Sequence, residues 1–142
     1  MTRVFIDTDI LLDLITGRHP FGIEAAPLFT LIDQELIGAC VSSLSISNLY
    51  YILRKFSSHQ KVMDKLDLLD SMVEIQEVDG KMIKKALKSP FKDFEDAIQY
   101  HCAASNSHIS VLITKNIKDF RHAELPVMSP LTFLASWHKA GD

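Results

Sequence analysis

The chain has 142 residues, 47% hydrophobic and 23% charged, and its 15 basic and 18 acidic side chains leave a formal net charge of -3. That length suits one soluble domain, residues 1–142, with a real core and excludes two; so small a charge imbalance neither requires nor forbids a polyanionic partner. With no signal-peptide pattern and no apolar run long enough to span a bilayer, the expectation is a cytoplasmic protein with no membrane partner.

In chain order, Val4, Phe5 and Ile6 suit a short buried strand, and Ile10, Leu11, Leu14 and Ile15 recur at helical spacing. Asp7, Thr8 and Asp9 therefore stand at a strand-to-helix turn. Thr8 or Asp9 can cap the helix. Asp7 sits at the carboxyl end of a strand, where open α/β sheets present ligands, and no neighbouring Lys or Arg offers it a partner. The stretch "GRHPFG" predicts a turn, with Pro20 close to the start of a second helix through Ile23, Leu28, Leu31 and Ile32. "LIGACVSS", 36–43, reads as a second strand, after which Ser43 or Ser45 caps a helix whose stripe is Leu49, Ile52, Leu53 and Phe56.

A fourth helix runs through Val62, Leu66, Leu69 and Met72, and "VEIQEV", 73–78, alternates as a strand until Gly80 breaks it. A lysine-rich helix follows over about 81–88, with Met82, Ile83, Ala86 and Leu87 on its apolar side, stopped by "SP". Asp93 opens the next helix, "ISVLIT", 109–114, is a buried strand, and "LPVMSP" adds an edge strand before a last helix at 131–138. Strands separated by helices imply right-handed crossovers and a mostly parallel sheet of 4–5 strands covered on both faces, an α/β fold. Cys40 and Cys102 read as buried thiols, and the six histidines lack zinc-ligand spacing.

Three acidic places converge in such a fold. Asp7 ends the first strand; Asp93, Glu95 and Asp96 open a helix; Asn116 and Asp119 lie past Thr114, the end of the late strand. Each has a structural explanation: Asp96 is the third residue of a helix capped by Asp93, and an Asx turn accounts for Asn116. Together they would form a pocket of like charges, which a divalent cation such as Mg²⁺ or Mn²⁺ offsets while keeping waters for a phosphate substrate.

With "VFIDTDILLDLI", "VSSLSISNLYYIL", "DFEDAIQYHCA" and "LITKNIKDF" in order, and a "P…SP..FL" ending, the chain resembles the PIN-domain ribonucleases, which include the VapC-type toxins of bacterial toxin–antitoxin pairs. The resemblance implies a three-layer α/β/α fold and a metal-dependent endoribonuclease acting on RNA through Mg²⁺ or Mn²⁺, with a small antitoxin protein and a homodimer as associations. By position, Asp7 looks like the family's first metal-binding acid, Asp96 its helix-borne acid, and Asp119 or Asn116 the acid after the late strand. Asn48 stands where the family typically has glutamate, as in a subgroup with asparagine there. An amide can ligate a cation or orient water but cannot accept a proton as a general base. Glu95 or Asp93 could supply the missing charge, with Thr114 beside them; the alternative is a catalytically degenerate domain that binds RNA or protein.

Lys81, Lys84, Lys85 and Lys88 fall on one helical stripe, open either to solvent or to phosphates. Lys115, Lys118 and Arg121 surround Asp119 and are better placed for phosphates at the site. Tyr50 or Tyr51, following Asn48, could stack on an RNA base or pack in the core. A rival reading takes "DTD" as a haloacid-dehalogenase opening with Asp7 as nucleophile and Asp9 as general acid; Leu11, where such enzymes have Thr or Val, opposes it.

Overall fold

The computed structural model describes residues 1–17 and 21–141; the part of the expected turn at Arg18, His19 and Pro20 lies outside them. The strands are β1 (Arg3–Ile6), β2 (Gly38–Ser42), β3 (Glu74–Gln76), β4 (Val111–Ile113) and β5 (Val127–Met128). They form one sheet in the order β3-β2-β1-β4-β5, and every pairing is parallel. The helices are α1 (Thr8–Thr16), α2 (Phe21–Asp33), α3 (Ser43–Leu53), α4 (His59–Met72), α5 (Gly80–Leu87), α6 (Phe94–Ala104) and α7 (Pro130–Gly141), with a 3-10 helix at Ile117–Phe120.

Strand periodicity divides the core in two. Val4 and Ile6 of β1, Ala39 and Val41 of β2, and Val111 and Ile113 of β4 pack with Leu11, Leu28, Leu49, Leu69 and Phe133 from α1, α2, α3, α4 and α7. Phe5, Cys40 and Leu112, the residues between them, face the other way onto Tyr100, Cys102 and Ala103 of α6 and Phe120 of the 3-10 helix. A sheet buried on both faces is what all-parallel pairing requires, and it yields the three-layer α/β/α arrangement. Cys40 and Cys102 are free and buried. Among the described residues no helix is long and apolar enough to cross a membrane.

Several local expectations change. The α1 cap is Asp7 itself, whose carboxylate accepts from Thr8 N, while Thr8 is buried in the first turn. Gly17 ends α1 in the left-handed region at φ 65, a conformation glycine adopts freely. The α3 cap is Ser42, because the strand passes into the helix with no linker. Since α3 ends at Leu53, Phe56 leaves the buried stripe and is 78% exposed. The strand ends before Gly80, which starts α5 under an Asp79 cap, and Leu87 is exposed, not on the buried side. The strands are also shorter than the apolar runs suggested, 38–42, 74–76 and 111–113.

The chain steps outward from β1 to β2 and β3, then returns to the far side of β1 for β4. That reversal leaves a crevice at the carboxyl ends of β1 and β4, where open α/β sheets hold ligands.

Candidate functional site

Asp7 and Thr114 follow β1 and β4, and they meet at that crevice. The Asp7 N–H donates to Ile113 O (3.0 Å), and its Oδ2 accepts the Thr114 hydroxyl at 2.8 Å while Oδ1 accepts Thr8 N at 2.8 Å. Helix capping and site-building are thus one job here. Burial drives the Asp7 carboxyl up to about 6; Asp9 and Glu95 add repulsion, and the Thr114 and Thr8 hydrogen bonds only partly counter it.

Asp96 is the third residue of α6, its N–H bonded to the Asp93 cap at 2.9 Å, as the spacing predicted. Its carboxyl rises to about 7, first from burial and then from the charges of Asp7, Asp93, Asp119 and Asp9. Residues brought by β1, α1, α6 and the 3-10 helix therefore share one field, although they are scattered along the chain. Asp119 is exposed in the 3-10 helix, and Asn116, which makes no cap hydrogen bond there, turns its Nδ2 to Asp9 Oδ2 at 3.0 Å. Asn116 N–H donates to Thr114 Oγ1 (3.1 Å), so Thr114 joins the end of β4 to the acids on both sides.

Asn48, on α3, donates its Nδ2 to Glu95 Oε1 at 2.8 Å, a contact bringing α3 and α6 together at the rim. Behind it, Thr8, Ser45 and Gln99 form a buried cluster: the two hydroxyls lie 2.6 Å apart and Gln99 Nε2 donates to both at 2.8 Å. This cluster joins α1, α3 and α6 directly beneath their acid- and amide-bearing turns. The sequence offers Ser45 only as a cap and leaves Gln99 unmarked, although each lies three residues from a candidate, Asn48 and Asp96, and Gln99 interrupts an apolar helix face. Asp9, set aside there as a cap, is instead part of the charged group.

Among the described residues, no group of three or more carboxylate, imidazole or thiol side chains stands close enough to hold a metal ion. The electrostatic coupling reaches farther than a coordination bond of about 2.0–2.6 Å. Uncompensated carboxylates hold one another apart, and a cation drawing oxygens inward is the physical remedy. The donors, carboxylate and amide oxygens, suit a hard divalent ion.

The cations sort by environment. Lys115 is paired with Asp13 at 2.8 Å, largely inside the protein. Lys118 and Arg121 are exposed and share a cleft with Lys92, Asp93, Asp119 and His122. Lys84 and Lys88 are exposed on α5 and its end. Tyr50 is half-buried against the core, with its hydroxyl 2.9 Å from His59 Nδ1, and Tyr51 is 69% exposed.

A family model described as "PIN domain" matches residues 3–118. No curated protein matches the chain in sequence. Among solved structures, the chain is similar to VapBC2 from Rickettsia felis bound to a DNA fragment from its promoter (20% identity, TM-score 0.63, 90% of this chain and 98% of that one). A toxin–antitoxin complex from Klebsiella pneumoniae matches at 25% identity and TM-score 0.64, over 89% of this chain and 97% of that one. The Mycobacterium tuberculosis toxin VapC20, which cleaves the sarcin–ricin loop, matches at 14% identity and TM-score 0.61, over 77% and 86%.

Proposed function

Since the chain belongs to the PIN-domain family, we propose that it is a Mg²⁺- or Mn²⁺-dependent endoribonuclease, the toxin of a toxin–antitoxin pair acting in the cytoplasm as a single 142-residue domain. The observation that carries this reading is the gathering of Asp7, Asp9, Asp93, Asp96 and Asp119 into one field, which adds to burial in raising Asp96 to about 7. Structural charge is normally paired. This cluster is instead concentrated near the strand ends, where a divalent cation would offset its charge and in turn hold a phosphate.

Asp7, Asp96 and Asp119 would hold the ion, with Asn48 and Asn116 contributing amide oxygens and Asp93 and Glu95 nearby charge. The ion would supply Lewis acidity, lowering the pKa of water and neutralising charge on the phosphoryl oxygens. Thr8 N on Oδ1 and the Thr114 hydroxyl on Oδ2 together fix the plane of the Asp7 carboxylate, so an ion there would use the remaining lone pairs of oxygens already held in place. Asn48 cannot take a proton, so any proton moved at the site belongs to a carboxylate. Lys118 and Arg121, with Lys84 and Lys88 farther out, would meet the RNA backbone; Lys115, paired with Asp13, would act through that pairing. A small antitoxin is the expected protein partner, supported by the toxin–antitoxin complexes that share this fold, and a second copy of the chain is proposed beside it.

The second reading, an RNA- or protein-binding module without chemistry, draws on the Asn48–Glu95 contact, which occupies the amide and a rim carboxylate with each other. Cleavage of structured and single-stranded RNA by the purified chain, with Mn²⁺, Mg²⁺ or a chelator, separates the two. Cleavage that needs the metal and disappears in folded Asp7→Asn and Asp96→Asn supports the nuclease. Cleavage that persists in either variant removes that residue from the site, and RNA binding with no cleavage selects the module.

A further inference from the structure

The crevice does not end at the acids. Past Asp93 and Asp119 it opens into a cleft of about 230 Å³ that Lys92, Lys118 and Arg121 also line. None of these three cations is ion-paired among the described residues. His122 lines this cleft and also a neighbouring cavity of about 550 Å³ between the end of α5, the 88–91 connection, α6 and Glu124. The second volume lies within the roughly 300–1,000 Å³ range of small-molecule sites.

The chemistry changes along this path. Near the acids the wall is cationic; past His122 it becomes ring surface. Phe91 stacks on Tyr100 (centroids 5.3 Å, 24°), meets Phe120 edge-on (6.0 Å, 76°) and faces His122 across 6.1 Å at 60°. Packing on several sides holds the Phe91 ring, so it loses little freedom when a further ring contacts it. Tyr100 is fixed in turn by the Glu124 N–H, which donates to its hydroxyl at 3.2 Å. Beside it, His101 lines the cavity with an Nε2 shielded from solvent and without a hydrogen-bond partner among the described residues. An unsatisfied buried polar atom is unfavourable, and a ligand's polar edge that reaches it supplies the missing partner. Burial and the Lys85 charge hold the His101 ring below its ordinary pKa, so it is neutral at pH 7 and offers one donor and one acceptor.

We propose that these linked concavities form a nucleotide subsite flanking the cut: a phosphate held by Lys92, Lys118 and Arg121, and its base lodged past His122 against Phe91 and within reach of His101. The proposal rests on the RNA reading above for its position relative to the reaction, but the binding it describes needs neither metal nor cleavage. Phosphate contacts give register without sequence preference, whereas base stacking and one hydrogen bond to a base edge discriminate. The subsite therefore makes the enzyme choosy about one neighbour of the scissile bond.

The test uses the full chain in chelator, titrated with the four ribonucleoside 5′-monophosphates, ribose 5-phosphate and inorganic phosphate, and followed by calorimetry and by the His101 ring resonances. At least one nucleotide should bind several-fold tighter than ribose 5-phosphate and shift the His101 signals, which inorganic phosphate leaves in place. His101→Phe should bring the nucleotides level with one another, His101→Gln should restore part of the preference, and Lys92→Gln with Lys118→Gln should weaken every phosphate ligand several-fold. Equal binding of nucleotides and ribose 5-phosphate, a preference untouched in folded His101→Phe, or unmoved His101 signals overturns the proposal. So does an Asp/Glu-rich peptide that binds as tightly as the best nucleotide, which would mark a general cationic patch. Should His101→Phe not fold, the wild-type resonances decide alone. Nucleotide selectivity in a chain that cleaves no RNA with any metal would leave the subsite standing and remove the nuclease; cleavage without selectivity would do the reverse.

Discussion

Replacing Asp7 by asparagine removes a charge that the fold holds at an energetic disadvantage. In the folded, metal-free protein the Asp7 carboxyl is raised from 3.8 to about 6, roughly two units, and each unit is worth about 1.4 kcal/mol. Below about pH 4 the group is protonated whether the chain is folded or not, and it contributes nothing. Between that pH and about 6 the native state keeps a proton that the unfolded chain releases, so stability falls as pH rises. Above the folded value the full penalty, about 3 kcal/mol, is present. Asparagine still caps a helix, but its single side-chain oxygen cannot accept from both Thr8 N and Thr114, a loss of about 1 kcal/mol. Urea unfolding in chelator should therefore find Asp7→Asn less stable than the parent by about 1 kcal/mol at pH 4 and more stable by about 2 kcal/mol at pH 8. If the variant were destabilised equally at both pH values, Asp7 would be an ordinary capping carboxylate and the strained-cluster argument would fail.

Saturating Mn²⁺ should reverse the ranking at pH 8, because a ligand at about 100 times its Kd stabilises by about 2.7 kcal/mol and Asp7→Asn would bind it poorly; melting curves with and without the ion report this. Thr114→Val removes a hydrogen bond that holds the Asp7 pKa down, so the carbon resonance of the Asp7 carboxyl should titrate at higher pH than in the parent. Asn48→Glu brings a second carboxylate against Glu95: metal-free stability at pH 8 should drop, and Mn²⁺ affinity measured by calorimetry should rise if Glu95 can turn away. Truncating Leu112, fully buried between β1 and β5, to alanine should cost about 2–5 kcal/mol in urea unfolding.

Much of the scaffold could be read from periodicity, since a buried strand or an amphipathic helix announces itself within ten residues. The errors fall where several equivalent residues compete. Ser42, Ser43 and Ser45 can each cap α3, and only tertiary contacts separate them: Ser43 accepts from Val78 N, Ser45 joins Thr8 and Gln99, and Ser42 is left with the cap. Asn116 has the chemistry for an Asx turn, but its side chain makes no cap hydrogen bond and its amide donates to Asp9 instead. The meeting of Asp7 with Thr114 spans 107 positions and depends on β4 inserting beside β1, which no local pattern encodes.

Asp7 and Asp96 both combine capping with a place in the acidic group, and magnitudes decide how the two combine. A carboxylate in the first turn gains about 0.3–1 kcal/mol from the helix dipole and free N–H groups, an effect that lowers its pKa. Both carboxyls are nevertheless raised, so burial and mutual repulsion outweigh the cap at each position. Capping explains why an acid is tolerated at each helix start, but it does not explain why the starts of α1 and α6, with Asp9 and Asp119, share one field. That arrangement is unfavourable in the empty protein and becomes favourable when positive charge enters. A cation entering among these oxygens would release that repulsion, which is the electrostatic basis of the metal binding proposed above.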